Sequence, residues 1–259
     1  MAGAGIQALR HPRRTVADTA TWTRAVTGLV GPPSVERSPL LRSRSPARRA
    51  LTLQVPLEDL QAAGRAVAAS VNDAYLAAVT GAVAAYHEAF NSPIEAFPLA
   101  FPISLRTDDD PETSNRWTAA RLAAPAGIRD PRPRIMAIHE LVAAARQSSS
   151  VDVIGRFTPL VSRLPRWAVG ELAGAVTGTD VQASNVPGWP GQLYLGGAPV
   201  EAIYPFGPLP GVAIMVTLLS ANGTCYVGVN YDPASVTDSD RFAVCLREGF
   251  DDVLAVGVA

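Results

Sequence analysis

Lysine is missing from this chain: all 22 basic residues among its 259 are arginine. No physical role requires every cation to be a guanidinium, so the bias reads as that of a GC-rich genome. Charged residues are scarce at 17%, with a net charge of −1 and 48% hydrophobic residues, which excludes a disordered polyelectrolyte and fits a well-cored protein. Cysteine is limited to Cys225 and Cys245, too few and too far apart for a metal cluster or a disulfide scaffold. Both sit in apolar stretches, as buried thiols in a reducing compartment would. Histidine is limited to His11, His87 and His139, none with a partner at ligand spacing, so each reads as an ordinary surface or helix histidine. The G-x-S-x-G elbow, the phosphate-binding G-x-x-x-x-G-K-S/T loop and H-E-x-x-H are absent. Gly3-Ala4-Gly5 mimics a dinucleotide fingerprint without the strand that should precede it. No metal site and no bound cofactor are expected. The N-terminal residues lack the apolar core of a secretory signal. The uncharged run from Ala202 to Tyr231 has the length of a membrane span, but Pro205, Pro208, Pro210 and Asn222-Gly223 would break it as a helix. A cytoplasmic protein is the expectation.

What is present is unevenly distributed. Residues 1–50 hold nine arginines against Asp18 and Glu36, a balance of +7 that leaves the rest of the chain at −8. These arginines are interleaved with Pro, Ser and Leu and lack aromatic partners, which argues against nucleic acid and for a solvated linker or arm. It carries one candidate helix, Thr15–Leu29, and anionic membrane attraction is the alternative use. Residues 51–259 form the expected domain.

Leu51–Val55 alternates as a strand, and Pro56 opens a helix to about Ala68. Ser70-Val71-Asn72-Asp73 fits a helix-capping box, with Leu76, Val79, Val83 and Tyr86 recurring at helical spacing behind it. Phe97–Leu105 and Asn115–Ala124 read as strands around a turn at Asp108–Pro111, and Ile135–Arg146 and Leu160–Val176 as helices. Strands are expected at Val181–Asn185, Leu193–Ile203, Val212–Leu219 and Thr224–Tyr231, the last two joined by an Asn222-Gly223 hairpin turn. Asp238 to about Leu254 closes the chain as a helix. This mixture predicts a layered α/β sandwich with a mixed β-sheet and flanking helices.

Several short segments carry more than secondary structure. In order they are Val71-Asn72-Asp73-Ala74-Tyr75-Leu76-Ala77-Ala78-Val79, Pro102-Ile103-Ser104-Leu105-Arg106, Ser114-Asn115-Arg116 and Ser184-Asn185-Val186-Pro187-Gly188. Leu195-Gly196-Gly197, Ile203–Leu209, Ser220-Ala221-Asn222-Gly223 and Gly228–Asp232 follow. Together they resemble the C-terminal half of the bacterial wax ester synthase/diacylglycerol acyltransferase family, across about residues 38–256.

The resemblance implies half of a chloramphenicol-acetyltransferase-like, coenzyme-A-dependent acyltransferase fold, with the active site between two similar halves. In that family a His-His-x-x-x-Asp-Gly motif of the N-terminal half deprotonates the hydroxyl of a diacylglycerol or long-chain alcohol, which attacks acyl-CoA. This chain has no such motif. The expectation is therefore an acyltransferase domain of triacylglycerol or wax ester synthesis, inactive alone, with acyl-CoA as substrate and a separate chain or longer gene product supplying the base. The alternative is a non-catalytic remnant that binds acyl chains or a partner. Peripheral contact with the inner membrane face or lipid inclusions is also implied.

By resemblance, Asn72 and Asp73 support catalysis across the interface between halves; helix capping is the competing account of Asp73. Ser184, Asn185, Val186, Pro187 and Gly188 line the acyl or acceptor channel, or simply end a strand in a type II turn with Gly188 at positive φ. Trp189 stands where the family usually has proline. Arg106 is a candidate for a phosphate of coenzyme A, or a strand-end arginine paired with Asp108 or Asp109.

Overall fold

A computed structural model describes residues 35–104, 117–148, 179–209 and 211–258. The candidate helices Thr15–Leu29 and Leu160–Val176, the Asp108–Pro111 turn and Arg106 lie outside them. The chain order is β1 (Arg49–Pro56), α1 (Leu57–Arg65), α2 (Val71–Ala89), β2 (Phe97–Ser104), β3 (Trp117–Ala124) and α3 (Pro131–Ser148). It continues with β4 (Val181–Pro187), β5 (Tyr194–Leu195), β6 (Ala198–Pro199), β7 (Ile214–Ala221), β8 (Thr224–Tyr231) and α4 (Ser239–Ala255).

Six strands form one mixed sheet in the order β1-β8-β7-β4-β2-β3. β4 lies inside it, parallel to β7 and to β2, while the remaining neighbours are antiparallel. The β7–β8 hairpin turns on Asn222 and Gly223 at φ 47° and 77°, as the dipeptide demands. Alternation then sorts the side chains. Val181 and Ala183, Ile214, Val216 and Leu218, and Cys225, Val227 and Val229 all enter the main core with the helices.

α2 is the central helix of that layer. Ser70 and Asp73 form the reciprocal capping box that the sequence predicts. Beyond it α2 is buried on nearly every side, because it packs against the three other helices, α1, α3 and α4, as well as on the sheet. Gly249 of α4 permits the approach: a Cβ there would stand 2.6 Å from the Ala82 backbone nitrogen and 2.7 Å from the Ala78 carbonyl oxygen. Arg134 of α3 lies against Gly81 and donates to the carbonyls of Ile128 and Arg129.

The second face of the sheet is covered differently. Leu193–Ile203, expected as one strand, is instead a two-residue hairpin, β5–β6, followed by irregular chain. Gly196 and Gly197, at φ 58° and 86°, reverse the chain, and Pro199, Pro205 and Pro208 have no N–H for a ladder. The chain then crosses β1, β8 and β7. Tyr204 bonds Gln54 and stacks edge-on against Tyr226, and Asn230 donates to the Gly207 carbonyl at 2.5 Å. Gly228 makes room for the crossing, since a Cβ would meet the Pro205 carbonyl oxygen at 1.8 Å.

Residues 35–48, which fall in the expected arm, lie against the domain. Leu41 is wholly buried in the core, a contribution of roughly 1.5–3 kcal/mol. Arg37 pairs with Asp180 at 2.9 Å, and the Ser38 backbone N–H donates to the same carboxylate at 2.5 Å. Ser45 donates from both its backbone N–H and its hydroxyl to Asp232. Two of the nine arginines, Arg37 and Arg44, are thus used in docking this segment to the domain. Burial raises the Asp180 carboxyl above its ordinary range, against the Ser38 and Arg37 hydrogen bonds that lower it.

Candidate functional site

The resemblance points to the end of β4, and the strand geometry makes a crevice there. β4 keeps its ladder with β7 over its full length, from Val181↔Ile214 to Pro187↔Ser220. Its ladder with β2 covers only Leu99↔Val181 and Ala100↔Gln182, although β2 runs on to Ser104 and β4 to Pro187. The two parallel strands therefore part at their carboxyl ends, the place where α/β sheets characteristically admit ligands. Ser184–Gly188 line one side. Arg106, two residues after β2 in sequence, lies outside the described residues.

Along β4, Val181 and Ala183 serve the core, whereas Gln182, Ser184 and the exposed Val186 share the opposite face. Ser184 is in register with Thr217 of β7. The Thr217 hydroxyl and the Gln182 amide oxygen are buried and have no hydrogen-bond partner among the described residues. Neither was singled out from sequence; their place beside Ser184 becomes visible only through strand register.

Gly188 is not a type II turn residue. Its φ is not positive, and β4 continues straight through Pro187. Glycine is required for a different reason: a Cβ would lie 2.2 Å from the Ser220 carbonyl oxygen at the end of β7. Trp189 follows, half exposed, its carbonyl accepting from the Asn222 backbone N–H at 2.9 Å.

α2 reaches the same end of the domain. In its last turn His87 lies by Ser38, whose backbone binds Asp180 just before β4. Near its start, the Tyr75 hydroxyl donates to the Val216 carbonyl at 3.0 Å, with the Ser184 backbone close by. The helix thus runs against β4 and brings Asn72 and Asp73 to the end where β4 leaves. Burial raises the Tyr75 phenol well above its ordinary value, so it is a neutral hydroxyl bracing the strand.

The pair divides in its contacts. Oδ2 of the buried Asp73 accepts from the Ser70 backbone at 2.9 Å, the Ser70 hydroxyl at 2.8 Å and His139 Nδ1 at 2.8 Å. Capping and the His139 contact account for its burial. Asn72 is half-buried and joins none of these bonds. His139 sits on α3, 66 residues away in sequence, so nothing local announced this pairing.

Neither described histidine stands at the strand end. His87 is fully buried at the far end of α2, Nδ1 against the Val83 carbonyl at 2.7 Å and Nε2 against the Ser38 hydroxyl at 2.5 Å. His139 belongs to the helical layer. β4 itself therefore offers hydroxyls, amides and backbone groups for binding and orienting, and the imidazole that reaches the start of α2, His139, meets Asp73. A hollow of about 70 Å³ beneath β5–β6, between Gln192, Glu201, Asn222 and Tyr226, has room for about two waters and not for an acyl chain. Buried Cys225 has its thiol pushed up to about 11, which makes it a core residue and no nucleophile.

Comparison with known proteins gives this geometry its context. The family model described as the WS/DGAT C-terminal domain matches residues 113–253. A putative diacylglycerol O-acyltransferase of Mycobacterium tuberculosis H37Rv is 45% identical over 223 residues, which are 86% of this chain and 45% of that protein. A second from the same strain is 28% identical over 274 residues, 98% of this chain and 58% of that one. The chain thus spans about half the length of the curated relatives it matches. The structure of the wax ester synthase/diacylglycerol acyltransferase from Marinobacter aquaeolei VT8 superposes with a TM-score of 0.65 at 18% identity, covering 96% of this chain and 58% of that one. The starter condensation domain of rhizomide synthetase shares the fold more distantly, with a TM-score of 0.56 at 12% identity, covering 93% of this chain and 52% of that one.

Proposed function

Because the chain belongs to the wax ester synthase/diacylglycerol acyltransferase C-terminal domain family, we propose that it forms one wall of a lipid acyl-transfer cleft. In that cleft an acyl group passes from coenzyme A to the hydroxyl of a diacylglycerol or long-chain alcohol. The base comes from a histidine-bearing half, whether in a separate chain or a longer gene product. The observation that carries this reading is the crevice between β2 and β4, lined by Ser184–Gly188 and holding no imidazole among the described residues.

In the reaction, the base removes the alcohol proton as the oxygen attacks the thioester carbonyl carbon. The tetrahedral oxyanion then collapses, the C–S bond breaks, and the coenzyme A thiolate takes the proton back. Asn72 has an amide free to donate to that oxyanion or to hold the acceptor, worth about 2–4 kcal/mol if it acts as other oxyanion donors do. Asp73 supports it by fixing the first turn of α2. The rigid Val186-Pro187-Gly188 backbone aligns the acyl chain, and Arg106 holds a coenzyme A phosphate.

The test is transfer of labelled acyl groups from acyl-CoA to diacylglycerol or a fatty alcohol. This chain alone is expected to give no product, and this chain with the histidine-bearing half of the 45%-identical relative to give ester. Asn72→Ala should then lower kcat/KM roughly 10²-fold. Absence of ester from the combined halves sinks the enzyme reading and favours the remnant that only binds acyl chains or a partner. Peripheral attachment to an anionic membrane falls to the arginines of residues 1–50 not held by Asp180; no sedimentation with anionic vesicles at low salt would exclude it.

A further inference from the structure

The parting of β2 from β4 has a cause in β2 itself. The Asp180 backbone N–H donates to the Pro98 carbonyl at 3.1 Å, so Pro98 turns that carbonyl toward β4. Main-chain groups alternate from one edge of a strand to the other, and those of Ala100 and Pro102 face β4 as well. On the other strand the Asp180 carbonyl accepts from the Ile214 N–H of β7 at 3.2 Å. Gln182, Ser184 and Val186 therefore turn their main-chain groups toward β7, and the odd residues of β4 face β2. After Ala100, the next rung needs an N–H at residue 102 for the Ala183 carbonyl. Residue 102 is proline, which has no N–H and sets a ring CH2 in its place. β2 is an interior strand, between β4 and β3, where proline is admitted only if the ladder is open on one side. The pairing with β4 accordingly stops at Ala100↔Gln182, while β2 stays paired with β3 as far as Ser104↔Trp117. The side chains would allow β2 and β4 to continue: Phe101 and Ile103 enter the same core as Ala183, so both strands keep one face past the last rung.

We propose that Pro102 is a positioning residue of this crevice: by withholding one rung it holds β2 off β4 and keeps the Ser184–Gly188 wall open to substrate. The inference rests on the reading of the crevice as the acyl-transfer cleft. With an N–H at residue 102 the ladder would run on in the same register, residue 102 opposite Ser184 and Ser104 opposite Val186. Asn185, whose main-chain groups face β2, would then donate to the carbonyl of residue 102. The edge of β4 that a substrate meets would be taken up by strand pairing. Two parallel strands gain hydrogen bonds by closing, so a lasting gap between them needs something that forbids closure. Proline is the one residue that forbids a rung without help from any other side chain.

The test uses Pro102→Ala and Pro102→Val, the second with a side chain that suits a strand, and begins with amide hydrogen exchange of the full chain. Exchange at Asn185 is expected to slow at least about tenfold in both variants as its N–H gains a partner on β2. The urea midpoint should be unchanged or higher. Pro98→Ala, at the start of the same edge, should leave exchange at Asn185 as it is. Unchanged exchange at Asn185 in both Pro102 variants overturns the proposal, as does faster exchange with a lowered midpoint, which marks a proline that only stabilises. The second measurement is acyl transfer with the histidine-bearing half of the 45%-identical Mycobacterium tuberculosis protein. In the Pro102 variants kcat/KM should fall at least about tenfold through a raised KM, since Asn72 and the base are untouched. Slowed exchange with KM unaltered shows the strands closing without consequence for substrate, and overturns the positioning role. No ester from the unaltered chain retires the enzyme reading alone, and exchange at Asn185 still decides whether Pro102 holds the strands apart.

Discussion

Acidification should loosen the attachment of residues 35–45 to the domain, and His87 sets the pH at which it does so. The Val83 carbonyl can only accept, so the proton of the neutral ring is on Nδ1 and Nε2 accepts from the Ser38 hydroxyl. That hydroxyl already receives the Leu41 backbone N–H at 3.1 Å. Protonating Nε2 replaces an acceptor by a donor and places a cation in a wholly buried site. Burial accordingly depresses the imidazole below its ordinary 6.5, against smaller upward effects of the Val83 carbonyl and Asp180. The unfolded chain then binds the proton more readily than the folded one. Stability is full above about pH 6.5 and falls as pH drops from there toward the folded value, by up to about 1.4 kcal/mol per pH unit. The raised Asp180 carboxyl acts with the opposite sign and so cannot produce this fall, and the depressed Asp232 loses stability only below about its ordinary 3.8. Urea unfolding at several pH values from about 7.5 to about 5 should show the slope in the unaltered chain and in His139→Gln, and not in His87→Gln. A slope that survives His87→Gln, or a flat profile in the unaltered chain, refutes the reasoning.

Two further outcomes concern the site itself. Gly188→Ala forces a methyl onto the Ser220 carbonyl at 2.2 Å, so the chain leaving β4 must move away from the end of β7; a loss of about 2–3 kcal/mol in urea unfolding is expected, and an unchanged midpoint would show that it moves freely. Ser70→Ala should cost about 1 kcal/mol as a lost cap. Asp73→Ala should cost more, up to about 3 kcal/mol, since it removes the acceptor of both Ser70 donors and of His139. Equal losses in the two variants would mean that the His139 contact contributes nothing.

The features readable from sequence were those whose cause is local. The capping box at Ser70-Asp73, the Asn222-Gly223 hairpin turn and the apolar runs that become β7 and β8 each follow from a few adjacent residues, and the structure has them close to the expected places. Leu193–Ile203 misled because its apolar content suits a strand, while Gly196-Gly197 and the prolines that follow prevent one. Gly188 was recognised as necessary for the wrong reason: the constraint is the Ser220 carbonyl of a strand 32 positions on, which no neighbouring residue reveals. Arg37 and Arg44 looked solvated because Asp180, their partner, lies about 140 residues away.

The same distinction governs the site. Asn72 and Ser184–Gly188 stood out as short strings, and the fold brings them to one end of the domain through the Tyr75 hydroxyl, which touches both Val216 and Ser184. What could not be read was the supply of protons. His87 engages both ring nitrogens in holding Ser38 and Val83, and His139 turns Nδ1 to a carboxylate that caps a helix. Asp73 in turn is occupied by three donors on one oxygen. His87 is therefore committed to holding the structure at both ring nitrogens, while Asp73 Oδ1 and, beside the crevice, Thr217 and Gln182 have buried polar atoms without partners. An alcohol bound between β2 and β4 would find groups to orient it and, on those two strands, no imidazole to ionise it. That asymmetry follows from the side chains themselves, and it is what a second, histidine-bearing body at the open end of the crevice would complete.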